Sequence, residues 1–159
     1  MARFDTSGLD DLIREMTAMG EKAGDMGEAM VNAAAAEIRD AWRESAEAHG
    51  HRDTGDMIAS IAAPGAVQRI GNVLQKDIYP TGKDRKGVRN AEKAFILNYG
   101  TSRIKPSHWV DEADAASADQ VQSRLEDMWG NFLETGRIPA VQDTGAASGS
   151  GFKKKLSEH

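Results

Sequence analysis

An apolar run that stops at a Gly-Thr corner is the feature that most constrains the fold of this chain. Residues 95–99 precede Gly100 and Thr101, and a short basic loop then leads to Pro106 and a new helical pattern. The run is too short to assign from its period, so a short helix and a buried strand both fit. A second corner occurs at residues 54–55, where glycine accepts a positive φ. The sequence therefore predicts two tight turns that place the ends of short elements around one core.

Three stretches carry apolar residues at helical spacing. The first, residues 8–19, ends at two glycines, and the second runs from about residue 25 to residue 48 with Trp42 on its apolar side. The third begins after Ser107, which is placed to cap it, and ends near Gly136. We therefore expect two long helices and a shorter helical segment.

The stretch between the second and third patterns predicts a small sheet. Residues 66–70 and 73–79 have the composition of short strands, and the Gly-Asn pair between them favours a tight hairpin. Residues 57–63 fit a short helix or a strand, and residues 80–90 form a loop rich in Gly, Lys and Arg. The predicted fold class is α+β, with two long helices packed on a small antiparallel sheet.

The predicted domain spans residues 1–139, and residues 140–159 form a flexible arm. The arm is rich in Gly, Ser and Ala and has no apolar period, so it cannot bury enough surface to offset its ordering entropy. It ends in a basic and apolar cluster made of Phe152, Lys153, Lys154, Lys155 and Leu156. Two interpretations stay open: an arm that binds an acidic, partly apolar groove on a neighbouring subunit, and a tail without a role.

Charge and composition exclude several classes of function. A length of 159 residues fits one domain, and a net charge of -5 gives no bulk attraction to nucleic acid. The chain has no cysteine, which excludes disulfides and thiolate metal sites and fits synthesis in a reducing compartment. Neither a signal peptide nor a membrane-spanning apolar run is expected from the sequence.

Two motifs occur in an order that resembles the signature of the neck, or head–tail joining, proteins of long-tailed bacteriophages. Members carry Thr-Gly-x-Leu-x-x-Ser-Ile, then an aromatic-rich stretch that ends in Glu-Phe-Gly-Thr, then Pro-Phe and a helix that contains Ala. The matching positions here are Thr54, Gly55, Met57, Ser60, Gly100, Thr101, Trp109 and Ala113. This chain departs from the pattern in having Met57 for Leu, Asn98-Tyr99 for Glu-Phe, and His108-Trp109 for Pro-Phe.

The resemblance implies a structural virion protein of a tailed phage or prophage. Such proteins form homo-oligomeric rings in the neck, between the head-closure protein and the tail, and leave a channel for DNA. Such proteins work by assembling, so the resemblance implies a protein that is not an enzyme and that assembles in the cytoplasm of the bacterial host. No cofactor or metal is expected either, because the sequence offers no convergent acid, base or ligand set. A tail terminator or tail completion protein is the alternative. Trp109 is expected to anchor the last helix on the core beside Gly100.

A local basic cluster lies in the predicted loop and consists of Lys83, Arg85, Lys86 and Arg89. Cations in such a loop could contact DNA phosphates without reading bases. A solvated hairpin tip is the simpler interpretation, because several charges on a loop are common. A small DNA-binding regulatory module is the alternative from a different class of function.

Three side chains near the end of the second helical pattern invite a metal-site hypothesis, namely His49, His51 and Asp53. A solvated helix end explains them better, because no further Cys or His lies nearby in the sequence. Residues 82–84 do not fit a phosphate-binding loop, since Asp84 stands where Ser or Thr would hold magnesium. No Ser, His and Asp arrangement indicates a nucleophile.

Overall fold

A computed structural model of the protein describes residues 3–5, 21–71, 73–140 and 143–145. These residues form four helices and five short strands. In chain order the elements are β1 (Arg3–Asp5), α1 (Glu21–Ala48), α2 (Asp56–Ser60), β2 (Ile61–Ala62), β3 (Gln68–Ile70), β4 (Val73–Asp77), β5 (Tyr79–Pro80), α3 (Asn90–Tyr99) and α4 (Trp109–Thr135). The fold class is α+β, as the sequence predicts.

Helix α1 is the central element, and its alanine-rich sequence explains how it is buried on two sides. Residues 33–36 are all alanine and all buried, so neighbouring elements can approach the helix closely. The helix begins at Glu21 rather than near residue 25, and Gly24 lies inside its first turn. A glycine in a helix costs about 1 kcal/mol relative to alanine, and the helix buries Ala23 and Met26 in the same turn. The helix predicted at residues 8–19 lies outside the described residues.

The main core lies between α1 and α4. Trp42 of α1 and Trp109 of α4 meet edge to face with ring centroids 5.8 Å apart. The predicted apolar stripe of α4 is buried against the same core at Ala113, Ser117, Val121, Leu125 and Phe132. A smaller cluster of Val31, Leu74 and Val67 lies between α1 and the sheet. Helix α1 therefore separates α4 from the sheet and contacts both.

The predicted hairpin is present, but the second predicted strand is divided between two sheets. Strands β3 and β4 pair antiparallel with Ile70 opposite Val73, and Gly71 in the turn has a φ of 61°. Strand β1 pairs with the other edge of β4, which gives the order β1-β4-β3. Beyond Asp77 the chain leaves this sheet, and β5 pairs with β2 in a separate two-stranded ribbon.

The structure shows which element each of the two ambiguous segments forms. Residues 57–63 contribute to a helix and then a strand, because α2 ends at Ser60 and β2 follows at once. Residues 95–99 belong to α3, whose last backbone N–H bond runs from Gly100 to Ile96 O over 2.7 Å. Within the described part of the chain, no helix combines the length and apolar character that a membrane span requires.

The part of the predicted arm that the structure describes is docked on the domain. Thr144 is buried, accepts a backbone bond from Ala63 N at 2.8 Å, and donates its hydroxyl to Ala63 O at 2.8 Å. Lys76 donates to the Thr144 hydroxyl at 2.8 Å and to Asn32 Oδ1 at 2.7 Å. Burial lowers the pKa of Lys76. The cluster Phe152, Lys153, Lys154, Lys155 and Leu156 lies outside the described residues.

Candidate functional site

The Gly100 corner joins α3 to α4 and accepts only glycine. Its φ is 75° and its ψ is 179°, a region that side chains essentially exclude. A Cβ at this position would lie 2.6 Å from Ile104 O and 2.7 Å from Pro106 N. The backbone after Gly100 thus turns back so close to the corner that no side chain would fit at this position.

Thr101 holds the loop that makes this close approach. Its backbone N donates to Ile104 O over 2.8 Å, and its hydroxyl accepts from Arg103 N at 3.2 Å and Ile104 N at 3.0 Å. These three bonds close the turn over residues 101–104 around one threonine. The Gly-Thr motif therefore specifies a backbone path in which glycine provides space and threonine provides the hydrogen bonds.

The predicted Ser107 cap of α4 is wrong, and Asn98 supplies the cap instead. Asn98 Oδ1 accepts from Val110 N at 3.0 Å, although Asn98 belongs to α3 and is almost fully buried. The residue at the helix start is His108, whose φ of 54° is left-handed and whose side chain makes no capping bond. Ser107 Oγ donates to Leu97 O at 2.7 Å. The capping residue is thus brought in by tertiary structure, which local sequence spacing could not indicate.

Trp109 follows directly and connects the corner to the core. It is fully buried, and its backbone oxygen accepts from Ser45 Oγ of α1 at 2.6 Å. Ala113, one turn further along α4, is also buried. The structure therefore brings together Gly100, Thr101, Trp109 and Ala113 of the second motif at the junction of α1, α3 and α4.

The Thr54-Gly55 corner precedes α2 and is built differently. Gly55 has a φ of 82° and no atom within 4 Å of the position a Cβ would take. The Thr54 hydroxyl accepts from Asp56 N at 3.2 Å. Met57 is buried, and Ser60 Oγ donates back to Met57 O at 2.7 Å. The first motif thus starts and ends one short helix.

The basic loop folds against this first corner. Arg85 donates to both carboxylate oxygens of Asp56, at 2.7 and 2.9 Å, and to Thr54 O at 3.4 Å. The side-chain hydrogen bonds from Arg85 hold the pKa of Asp56 far below its usual range. Lys86 pairs with Asp53 at 3.1 Å. Two of the four predicted DNA-contacting cations are therefore partnered by carboxylates beside the first corner.

Asp84 organises the interior of the loop. Its Oδ1 accepts from Lys86 N and Val88 N, each at 2.9 Å, and its other oxygen pairs with Lys93. The Lys93 bond is the main cause that lowers the pKa of Asp84. Lys83 and Arg89 are exposed and make no ion pair within the described part of the chain. These two cations are the ones that the loop leaves free for an external partner.

The histidines join the end of α1 to the start of α4. His49 Nε2 lies 2.6 Å from Glu112 Oε2, and His51 Nε2 lies 2.9 Å from Ser107 Oγ. The two rings stack with centroids 5.7 Å apart. Burial, with a smaller contribution from His49, lowers the pKa of His51. In the described residues, no three His, Cys, Asp or Glu side chains are grouped so that they could hold a metal.

A cavity of about 450 Å³ separates the two corners. Its apolar walls are Met57 of α2, Ile96 and Leu97 of α3, and Ile104 of the loop after Gly100. Thr54 and Gly55 form part of its rim, and Lys93 lies at the polar side. The first motif therefore borders the same surface recess as residues of α3 and of the loop that follows Gly100.

Comparison with known families identifies a family to which this chain is similar. The family model described as "Bacteriophage HK97-gp10, putative tail-component" matches residues 10–136. That range includes α1, the hairpin, both glycine corners and α4 with its last residue, Thr135. No curated protein and no solved structure matches the chain.

Proposed function

The chain belongs to the HK97-gp10-like family, a family of bacteriophage components, and from that membership we propose that it forms a ring in the neck of a tailed phage or prophage virion. The ring joins head to tail around the DNA channel, and its partners are other copies of the chain and the head-closure and tail proteins. The observation that carries the proposal is the match over residues 10–136, which takes in both glycine corners.

The geometry of the motifs supports a role in assembly rather than in catalysis. Gly100 and Thr101 set a backbone path, and Asn98 caps a helix. The ionisable groups around them act in structural pairs, as in His49 with Glu112 and Arg85 with Asp56. We therefore propose that the protein is not an enzyme and that its motif residues maintain the shape of a subunit.

Contact with DNA in the channel is proposed for Lys83 and Arg89. Both are exposed, and neither has a carboxylate partner among the described residues. Arg85 and Lys86 contribute less free positive charge, because Asp56 and Asp53 pair with them. Two cations per subunit, repeated around a ring, would contact the phosphate backbone without base readout.

Ring formation is tested with the purified full-length chain. We expect light scattering to show a multiple of the 17.2 kDa subunit mass and electron microscopy to show rings. A chain that stays monomeric at every concentration and is absent from purified virions would contradict the proposal. A monomer whose DNA affinity falls steeply with salt would support a DNA-binding module instead.

The position in the particle is tested in a lysate whose head–tail joining is blocked. We expect antibody labelling to find the protein on DNA-filled heads. Label on free tails and not on heads would assign it to the tail end, as a terminator or completion protein.

A further inference from the structure

Helix α3 presents an exposed apolar row. Phe95 and Tyr99 are four residues apart and lie on one side of the helix, and the two aromatic side chains are each 56% exposed. Their ring centroids are 4.8 Å apart, so they form one continuous aromatic surface. Single exposed apolar residues are ordinary, but a contiguous aromatic patch marks an interaction site.

The loop after Gly100 directly follows α3 in the chain and carries exposed cations. Ile104 is 44% exposed and also lines the cavity beside α3. Arg103 and Lys105 flank it, are exposed, and have no carboxylate partner in the residues that the structure describes. Glu92 is the acidic residue on the same side of α3. We call this surface, made of Phe95, Tyr99, Arg103, Ile104 and Lys105, the aromatic-basic face.

The outer side of α4 has the opposite charge. Glu112, Asp119, Glu126 and Leu133 are seven residues apart, so they follow one stripe along the helix. All four are exposed, Leu133 is 54% exposed at the end of the stripe, and Glu112 at its start is bonded to His49 over 2.6 Å. Asp127 and Glu134 lie on the adjacent row, while Arg124, the one cation of the helix, is paired with Glu37 at 2.8 Å. We call this surface the acidic stripe.

We propose that the aromatic-basic face of one copy docks on the acidic stripe of the next copy, and that this head-to-tail contact builds the ring. The argument is complementarity: cations flank an apolar patch on one surface, and carboxylates flank an exposed leucine on the other. Two different surfaces of one chain make a heterologous contact, which closes into a ring when the rotation allows. The inference rests on the proposed ring and names the surfaces that form it.

A charge-swap experiment tests the pairing. The double variant Arg103→Glu/Lys105→Glu places acid against acid, and Asp119→Lys/Glu126→Lys places base against base. Since like charges across an interface cost several kcal/mol, each variant should raise the concentration needed for half-assembly by about 100-fold. The variant with all four changes restores opposite charges and should assemble nearly as well as the original chain.

A second comparison tests the apolar part of the contact. Phe95→Ser/Tyr99→Ser removes the aromatic surface and should weaken assembly about tenfold or more. Ile70→Ser is the matched control, because Ile70 is 58% exposed but lies on β3, away from both surfaces. Circular dichroism of every variant should match that of the original chain, since all the changed side chains are exposed.

The outcomes separate this inference from the proposed function. Rings that form equally well in all variants would overturn the pairing and leave the ring itself standing. Loss of assembly in both double variants without restoration in the four-residue variant would also overturn it. A monomeric original chain would overturn both the pairing and the ring.

Discussion

The two glycine corners use the same residue types in opposite order, yet different forces hold them. At Gly100 the backbone of Ile104 and Pro106 occupies the space where a Cβ would lie, with the nearest atom at 2.6 Å. At Gly55 nothing lies within 4 Å, and only the positive φ favours glycine. The first corner is fixed by packing, whereas the second is fixed by a local dihedral preference.

The surroundings of the two corners also differ, because one corner leads into the buried core and the other is held by partly exposed ion pairs. Gly100 leads into Trp109, which is fully buried between α1 and α3. The Gly55 corner is held on its outer side by Arg85 and Lys86, whose partners Asp56 and Asp53 are partly exposed. We therefore expect the Gly100 corner to respond to volume changes and the Gly55 corner to respond to pH and salt.

Trp109→Ala should have the largest effect. The ring is fully buried and contacts Trp42 edge to face, so its removal leaves a large cavity in the main core. Loss of a buried aromatic typically costs about 3–5 kcal/mol, and urea unfolding of the variant should show a loss of that size. Trp129→Ala, which removes a half-buried ring, should cost less. An unchanged midpoint for Trp109→Ala would disprove the contrast between the corners.

Gly100→Ala and Gly55→Ala form a matched pair. At Gly100 the new methyl group must displace backbone, so overpacking and a strained dihedral should together cost roughly 2–4 kcal/mol. At Gly55 only the left-handed dihedral opposes alanine, so roughly 1–2 kcal/mol is expected. Unfolding free energies of the two variants give the difference directly. Equal losses would mean that packing does not distinguish the corners.

Asn98→Ala should cost about 1–2 kcal/mol, because it leaves Val110 N without its capping acceptor. Ser107→Ala removes the hydroxyl bonds to Leu97 O and to His51 and should cost less, about 1 kcal/mol. Amide hydrogen exchange offers a sharper measurement, since Val110 N should lose protection in Asn98→Ala and keep it in Ser107→Ala. The reverse pattern would restore Ser107 as the cap.

The sequence predicts well those features of the fold that depend on local residue patterns. The α4 stripe, the end of that helix at Gly136 and the hairpin around Gly71 depend on local spacing or on a single dihedral, so the chain carries them directly. It also predicts both corners as turns. It does not indicate that Gly100 is sterically required, because Ile104 and Pro106 reach it only through the folded loop.

The parts that sequence reasoning missed depend on contacts between distant residues. Asn98 caps α4 through a bond to the backbone N–H of Val110, which lies 12 residues further along the chain. The Arg85 and Lys86 ion pairs span about 30 positions and give these two cations carboxylate partners within the subunit. The sequence also does not predict the exposed side of α3. The apolar run at residues 95–99 predicts burial, whereas Phe95 and Tyr99 are exposed in the structure.

The smallest expected effect is a change in the acid response of the Gly55 corner. Hydrogen bonds from Arg85 lower the pKa of Asp56 in the folded state, so below the ordinary value of 3.8 the unfolded chain binds more protons than the folded one. The stabilisation from this pair is therefore fully present above that pH and is lost as the pH falls towards the depressed pKa.

Asp56→Asn should flatten the fall in unfolding free energy on the acid side, and added salt should reduce the difference because the pair is partly exposed. Asp127→Asn, which removes an exposed carboxylate with no ion pair in the described part of the chain, is the matched control and should follow the original curve. If Asp56→Asn and Asp127→Asn give the same acid slope, the Arg85 pair does not stabilise the corner, and the positive φ of Gly55 alone accounts for the turn.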